Sequence, residues 1–168
     1  KLIQEMKLCL FENKLYLIRD RFGVKPLYYT LSNDNLIFSS EIKGILASGL
    51  IKAEFNEEAI DEYLGNRYVR VPYTFFNKIY QLEAGGLLII DEELNVRKST
   101  YWTLPRHFNY DSVYNEDNIA EEFKEELINS IKRRLISDVP LGTYLSGGID
   151  SSLITAITTS LVNERVNT

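Results

Sequence analysis

The run Leu145-Ser146-Gly147-Gly148-Ile149-Asp150-Ser151-Ser152 constrains this chain more than any other segment. A short apolar stretch, 142–145, leads into it and suits a buried parallel strand, and the residues 151–162 beyond it suit a helix. A strand that turns through Ser and Gly into a helix N-terminus forms an anion site. The first-turn N–H groups have no partner inside the helix, and the helix dipole favours negative charge beside them. Gly147 and Gly148 let the backbone turn tightly and approach phosphate oxygens without a Cβ clash. Ser146, Ser151 and Ser152 add hydroxyl donors. Asp150 puts a carboxylate where phosphate is expected, which a Mg²⁺ shared with a nucleotide accounts for.

The run contains no Lys, so it is not the G-x-x-x-x-G-K-[ST] loop that supports attack at a γ-phosphate. A loop that clasps pyrophosphate without Lys suits cleavage at the α-phosphate of ATP, leaving an adenylate. The bland alternative is a tight strand-to-helix connection with an Asp or Ser cap.

Composition narrows the class. The chain has 168 residues, 45% hydrophobic and 26% charged, which predicts an ordered globular fold of one domain or two small ones. A net charge of −5 argues against broad binding to nucleic acid or anionic membranes. No apolar run approaches the length of a membrane span, and no signal peptide opens the chain. The single cysteine excludes an internal disulfide and fits a reducing, cytoplasmic setting.

Along the chain, 6–11 and 14–18 predict a hairpin turning at Glu12-Asn13. The stretch 19–26 reads as a loop, with Gly23 and Pro26 as turn residues. A second hairpin is expected from 27–31 and 36–39 around Ser32-Asn33-Asp34-Asn35. Ser40 is the expected cap of a helix running through Ser48 and ended by Gly49. Asn56 is the expected cap of another, to about Arg67, with Ile60, Tyr63 and Leu64 on its apolar face. The aromatic stretch 66–81 around Pro72 reads as an irregular segment packed on a core. A further hairpin is expected from 87–91 and 94–99, with Tyr101-Trp102 anchoring its exit.

The polar, Pro105-containing stretch 103–117 separates a β-rich part from a helical one. Beyond it Ile119, Phe123, Leu127, Ile131 and Leu135 recur every four residues and predict a helix over 116–136. Cys9, between Leu8 and Leu10, reads as a small core residue, and His107 as a surface residue of the linker. One His cannot build a metal site, and no Cys/His or Ser/His/Asp nucleophilic set can be assembled.

The sequence Ser137-Asp138-Val139-Pro140-Leu141-Gly142, continued through Ser152, resembles the pyrophosphate-binding motif of the glutamine-dependent asparagine synthetases. Arg19-Asp20-Arg21-Phe22-Gly23-Val24-Lys25-Pro26-Leu27-Tyr28-Tyr29 resembles the late part of the class II glutaminase domain of the same family. Ser39-Ser40-Glu41-Ile42-Lys43, Thr74-Phe75-Phe76, Ile79, Leu82 and Tyr101-Trp102 follow in the family's order. Ala84-Gly85 departs from the usual Pro-Gly, a local change in loop stiffness.

The resemblance implies an α+β glutaminase-type sandwich remnant followed by the start of an α/β parallel-sheet ATP-pyrophosphatase-type domain. Its expected divisions are 1–102, a linker at 103–117, and 118–168. It implies a ligase that frees ammonia from glutamine with an N-terminal cysteine and forms asparagine from aspartate, ATP and Mg²⁺ through a β-aspartyl adenylate. Leu145 is then expected against the nucleotide, and Ser146, Gly147 and Gly148 on pyrophosphate. Asp150 would orient the loop or bind Mg²⁺, and Ser151 and Ser152 would cap the helix and touch phosphate. No catalytic residue is expected within the chain, since it opens on Lys1 with no N-terminal Cys. The glutamine site is expected upstream, the adenine and aspartate pockets downstream, and this stretch alone is expected to be inactive. A homodimer is expected by resemblance only. A related amidotransferase or β-lactam-type ligase with another acyl acceptor, and a non-catalytic nucleotide-binding module, remain as alternatives.

Overall fold

The computed structural model describes residues 7–32, 35–105, 116–162 and 165–168, with the side chains of 7–10 and 116 left aside. The chain divides into two compact units, Lys1–Arg106 and His107–Thr168.

The first unit is built from hairpins. β1 (Lys7–Phe11) and β2 (Lys14–Ile18) pair antiparallel, with Phe11 opposite Lys14. Glu12 and Asn13 both take positive φ, 48° and 57°, the type I′ geometry that matches the twist of a two-residue hairpin. β6 (Gly86–Ile90) and β7 (Val96–Thr100) form the other half of this sheet, in the order β1-β2-β6-β7. The second sheet has the order β4-β3-β5, from β3 (Tyr28–Ser32), β4 (Asn35–Ser39) and β5 (Tyr80–Gln81). Ser32 pairs with Asn35, so both flanks of the expected turn extend the strands, and residues 33 and 34 lie outside the described residues.

The sheets meet through one core: Leu17, Leu88 and Ile90 from the first, Tyr29 from the second, and Leu27 and Leu82 beside it. Alternation drives this packing. In β6 the buried residues are Gly86, Leu88 and Ile90, and their neighbours are half-exposed, the period of a sheet with one core face. Helix α1 (Ile42–Ala47) packs against β3 and β4, burying Ile45.

Helix ends depart from the sequence reading. Glu41, not Ser40, is the N-cap of α1, and the Ser39 hydroxyl accepts the Glu41 N–H at 3.3 Å. Helix α2 (Glu57–Asn66) is capped by Asn56 in position only. Its side chain instead donates to the Thr74 carbonyl at 3.2 Å, tying the helix to the aromatic segment. The expected apolar face of α2 is not buried. Ala59 is the buried residue of this helix, while Leu64 is 75% exposed and Tyr63 lies edge-on against Phe75. In 66–81, Phe76 stacks on Phe55 and Ile79 is buried, so this segment does pack on a core.

The loop 19–26 is densely hydrogen-bonded. Arg19 is buried, and its guanidinium donates to the carbonyls of Leu82 (2.6 Å), Gly23 (2.7 Å) and Lys25 (3.0 Å). Asp20, also buried, accepts the N–H groups of Phe22, Val24 and Lys25. Tyr101 donates its hydroxyl to the Arg19 carbonyl at 2.8 Å, and Trp102 meets Phe22 edge-to-face at 5.0 Å. That is the anchor expected of Tyr101-Trp102.

Burial pushes the Asp20 carboxyl up, but the N–H groups of Lys25, Val24 and Phe22, with Arg19 beside them, hold it below the usual carboxylate range. A folded pKa below the unfolded one stabilises the fold above the unfolded value, and that contribution disappears as pH falls through the folded value. Asp20→Asn is therefore expected to destabilise at neutral pH, with the gap to wild type closing as the pH drops below the unfolded carboxylate range near 3.9. Urea midpoints from pH 7 to pH 2 test this, and a gap constant across that range would refute it.

The second unit holds α3 (Glu116–Arg134) and α4 (Ile149–Leu161), which pack on each other, with Ile131 and Thr158 buried. The apolar stripe of α3 is covered unevenly: Ile131 is buried, Leu127 and Leu135 are half-buried, and Phe123 is 62% exposed. The strand expected at 142–145 is reduced to one parallel bridge, Gly142 to Asn167. Tyr144 is fully exposed and Leu145 half-exposed, because no further backbone pairs with them among the described residues. Among the described residues no helix is long and apolar enough to cross a membrane. The side chain of Cys9, and His107 with most of the linker, lie outside the described residues.

Candidate functional site

Helix α4 begins at Ile149, two residues earlier than the sequence suggests, so the Ser/Gly run folds directly into its first turn. Gly148 is the N-cap and no side chain caps the helix. The expected caps, Ser151 and Ser152, sit inside the first turn instead. Ser152 N–H makes the first helical bond, to the Gly148 carbonyl at 3.0 Å. The N–H groups of Ile149, Asp150 and Ser151 precede it and have no intrahelical acceptor. An uncapped N-terminus of a 13-residue helix, exposed from Tyr144 through Asp150, presents donors and positive dipole to an incoming anion.

The two glycines do different work. Gly147 has φ +81°, a left-handed conformation in which a side chain is strained, and a Cβ there would meet nothing within 4 Å. Gly148 has φ −76° and needs no glycine for its backbone. A Cβ on Gly148 would lie 3.6 Å from the Ser146 hydroxyl and 3.9 Å from that of Ser151. Its absence leaves room beside both hydroxyls.

Ser146 and Ser151 are brought together, Oγ to Oγ at 3.0 Å, and Ser151 also donates to the Gly148 carbonyl at 3.0 Å. A hydroxyl has one proton, so with Ser151 committed to Gly148, Ser146 donates to Ser151. A phosphate entering the turn would exchange with this pair. Asp150 is the acidic residue of the first turn, and among the described residues no group of three or more His, Cys, Asp or Glu could hold a metal. A lone carboxylate suits Mg²⁺ that arrives on nucleotide phosphates and keeps water ligands, rather than a cage made by protein alone.

The sequence reading missed a second hydroxyl pair. Thr155 donates to Thr143 at 3.0 Å, across the base of the turn. Its only signal was two threonines flanking the run, twelve residues apart. Arg19 and Asp20, which stand in the family-like run, are both buried and bonded to the loop that follows them, a burial with no local signal in the sequence.

Two antiparallel sheets share a core beside a hydrogen-bonded Arg-Asp loop, an α+β arrangement, and the second unit adds a helix start with no side-chain cap. Comparison with known proteins makes this particular. The family model described as Glutamine amidotransferase domain matches residues 9–102, and that described as Asparagine synthase matches residues 122–168. The chain belongs to the glutamine amidotransferase family.

A Methanocaldococcus jannaschii protein provisionally named asparagine synthetase [glutamine-hydrolyzing] 2 is 41% identical over 155 residues, 89% of this chain and 30% of its own length. Asparagine synthetase [glutamine-hydrolyzing] 2 of Bacillus subtilis is 39% identical over 152 residues, 85% of this chain and 20% of its own length. Amidase chry2 of Gibberella zeae is 37% identical over 158 residues, 91% of this chain and 23% of its own length. The chain thus spans less than a third of each of these relatives.

Proposed function

We propose that this chain is part of a glutamine-hydrolysing asparagine synthetase, in which ATP activates aspartate as a β-aspartyl adenylate and ammonia from glutamine displaces AMP. In this reading residues 1–102 are the late part of the amidotransferase domain, 103–117 a linker, and 118–168 the start of an α/β ATP-pyrophosphatase-type domain. The observation that carries it is the uncapped start of α4 behind the left-handed Gly147, together with the family matches on both sides of the linker.

Activation is needed because hydroxide leaves a carboxylate poorly and ammonia is a modest nucleophile. Pyrophosphate departing from the α-phosphate gathers negative charge. The N–H groups of the first turn of α4 and the hydroxyls of Ser146, Ser151 and Ser152 would stabilise that charge as it develops. Mg²⁺ would supply further charge neutralisation, with Asp150 its protein carboxylate. Leu145 would lie along the nucleotide. Soluble small molecules (aspartate, glutamine and ATP) are the partners, and a cytoplasmic homodimer is the assembly proposed.

The full-length protein carrying this sequence is expected to release pyrophosphate from ATP and Mg²⁺ only when aspartate is present, and to make asparagine with either glutamine or ammonium. Gly148→Val, which fills the space beside the two serine hydroxyls, should lower pyrophosphate release at least tenfold and spare glutamine hydrolysis. Aspartate-independent ATP use would redirect the reading to another acyl acceptor. The relatives named amidases keep that second reading open.

A further inference from the structure

We propose that Thr143 and Thr155 are positioning residues for the pyrophosphate turn, their hydroxyl–hydroxyl bond closing its base and fixing the start of α4 against the chain that enters it. The proposal rests on the nucleotide reading above.

The geometry sets this bond apart from the other hydroxyls of the helix. A Thr or Ser within a helix ordinarily bonds back to a carbonyl one turn earlier. Thr159 does so, to the Thr155 carbonyl at 2.8 Å, and Ser160 does so, to the Ile157 carbonyl at 2.7 Å. Thr155 instead sends its proton out of the helix to Thr143 Oγ1, twelve residues back.

The acceptor side is itself held. The Thr143 N–H donates to the Asn167 carbonyl at 2.9 Å, beside the Gly142–Asn167 bridge. Both threonines are half-buried, whereas the turn between them is exposed from Tyr144 to Asp150. Both are β-branched, with few side-chain rotamers, so the bond fixes backbone as well as hydroxyls.

Two hydroxyl pairs therefore bracket the glycine turn, and they differ in role. The inner pair, Ser146 and Ser151, lies beside the space that Gly148 leaves open, and must give up its mutual bond to donate to a phosphate. The outer pair, Thr143 and Thr155, is bonded and half-buried behind the exposed turn, and can persist while the inner pair rearranges. Donors preorganised around developing charge accelerate a reaction because they need not reorganise as it proceeds. Loosening the base of the turn should thus affect the step in which pyrophosphate departs more than the capture of ATP.

The test uses the full-length protein with Thr143→Val, Thr155→Val, the double variant and Thr155→Ser, following pyrophosphate release with ATP, Mg²⁺ and aspartate. Each valine variant should lower kcat about three- to tenfold, the effect of one lost neutral hydrogen bond, with KM for ATP changed less than about twofold. The double variant should be no slower than the slower single, since both remove the same bond. Thr155→Ser restores the hydroxyl and should recover at least half of the wild-type rate. Valine variants within about twofold of wild type, losses that multiply in the double, or a serine variant as slow as valine would each overturn the pairing. A wild-type protein that releases no pyrophosphate at all would instead remove the nucleotide reading, and the positioning role with it.

Discussion

Arg19→Met is expected to destabilise the first unit by about 3–5 kcal/mol, the largest effect of any single side-chain truncation in it. Methionine keeps the apolar stem and removes only the guanidinium. Three carbonyls, of Gly23, Lys25 and Leu82, then lose their donor in a place where Arg19 and Leu82 are both buried. The buried Leu82 carbonyl left unpaired costs about 1–3 kcal/mol, and the part-buried carbonyls of Gly23 and Lys25, which water can reach, add less each. Asp20 also loses the neighbouring positive charge that helps hold it ionised.

Trp102 is the single tryptophan and packs on Phe22 within the same loop, so its fluorescence during denaturant unfolding reports this region directly. Arg19→Lys should recover less than half of the loss, because an ammonium cannot present a planar fork to three carbonyls in different directions. A loss below about 1 kcal/mol for the methionine variant would mean that the carbonyls find other donors, and the loop would not depend on Arg19.

Gly85→Ala is expected to cost about 2–5 kcal/mol, which is large for one added methyl group. Two independent penalties meet there. Gly85 has φ +64°, strained for any residue with a Cβ. An added Cβ would also be driven into the Trp102 carbonyl oxygen and lie 3.2 Å from its carbon, and backbone cannot swing aside as a flexible side chain can. That backbone is held in place, because Tyr101 N–H donates to the Gly85 carbonyl at 2.9 Å and Gly85 N–H to the Asp20 carbonyl at 2.9 Å. Gly49→Ala is the control: its φ is +71°, with nothing within 4 Å of the added Cβ. It carries the strain without the clash, so it should lose only about 1 kcal/mol. Equal losses in the two variants would show that strain alone decides, and that the approach of Trp102 is not a constraint.

The sequence was most legible where structure is local. Glu12-Asn13 joins two alternating segments and tolerates positive φ, and the hairpin forms there in the expected register. The Ser-Gly-Gly run carries its own turn, and a helix does start there, two residues earlier than expected. The four-residue apolar period of 116–136 likewise marks α3.

Cap identity was less legible because it is a competition. Asn56 stands at the right position for a cap, yet its amide is drawn to Thr74, eighteen residues away. Period alone also misjudged α2: it places Ile60, Tyr63 and Leu64 on one side of a helix but says nothing about whether anything covers that side.

What the sequence indicated by itself is most of the local elements, a change from a β-rich part to a helical one, and a Ser/Gly run whose residue types suit an anion. Short-range sterics and hydrogen-bonding chemistry decide these within a few residues. Only the tertiary structure decided that Arg19 becomes the buried donor to Leu82, sixty-three residues away, and that Thr155 bonds across the turn to Thr143 rather than back along its own helix. It also decided that the expected strand at 142–145 pairs at a single bridge with Asn167. Such choices depend on which distant backbone groups are left needing a partner once the sheets and helices have packed, and a burial cost of that kind has no local signature.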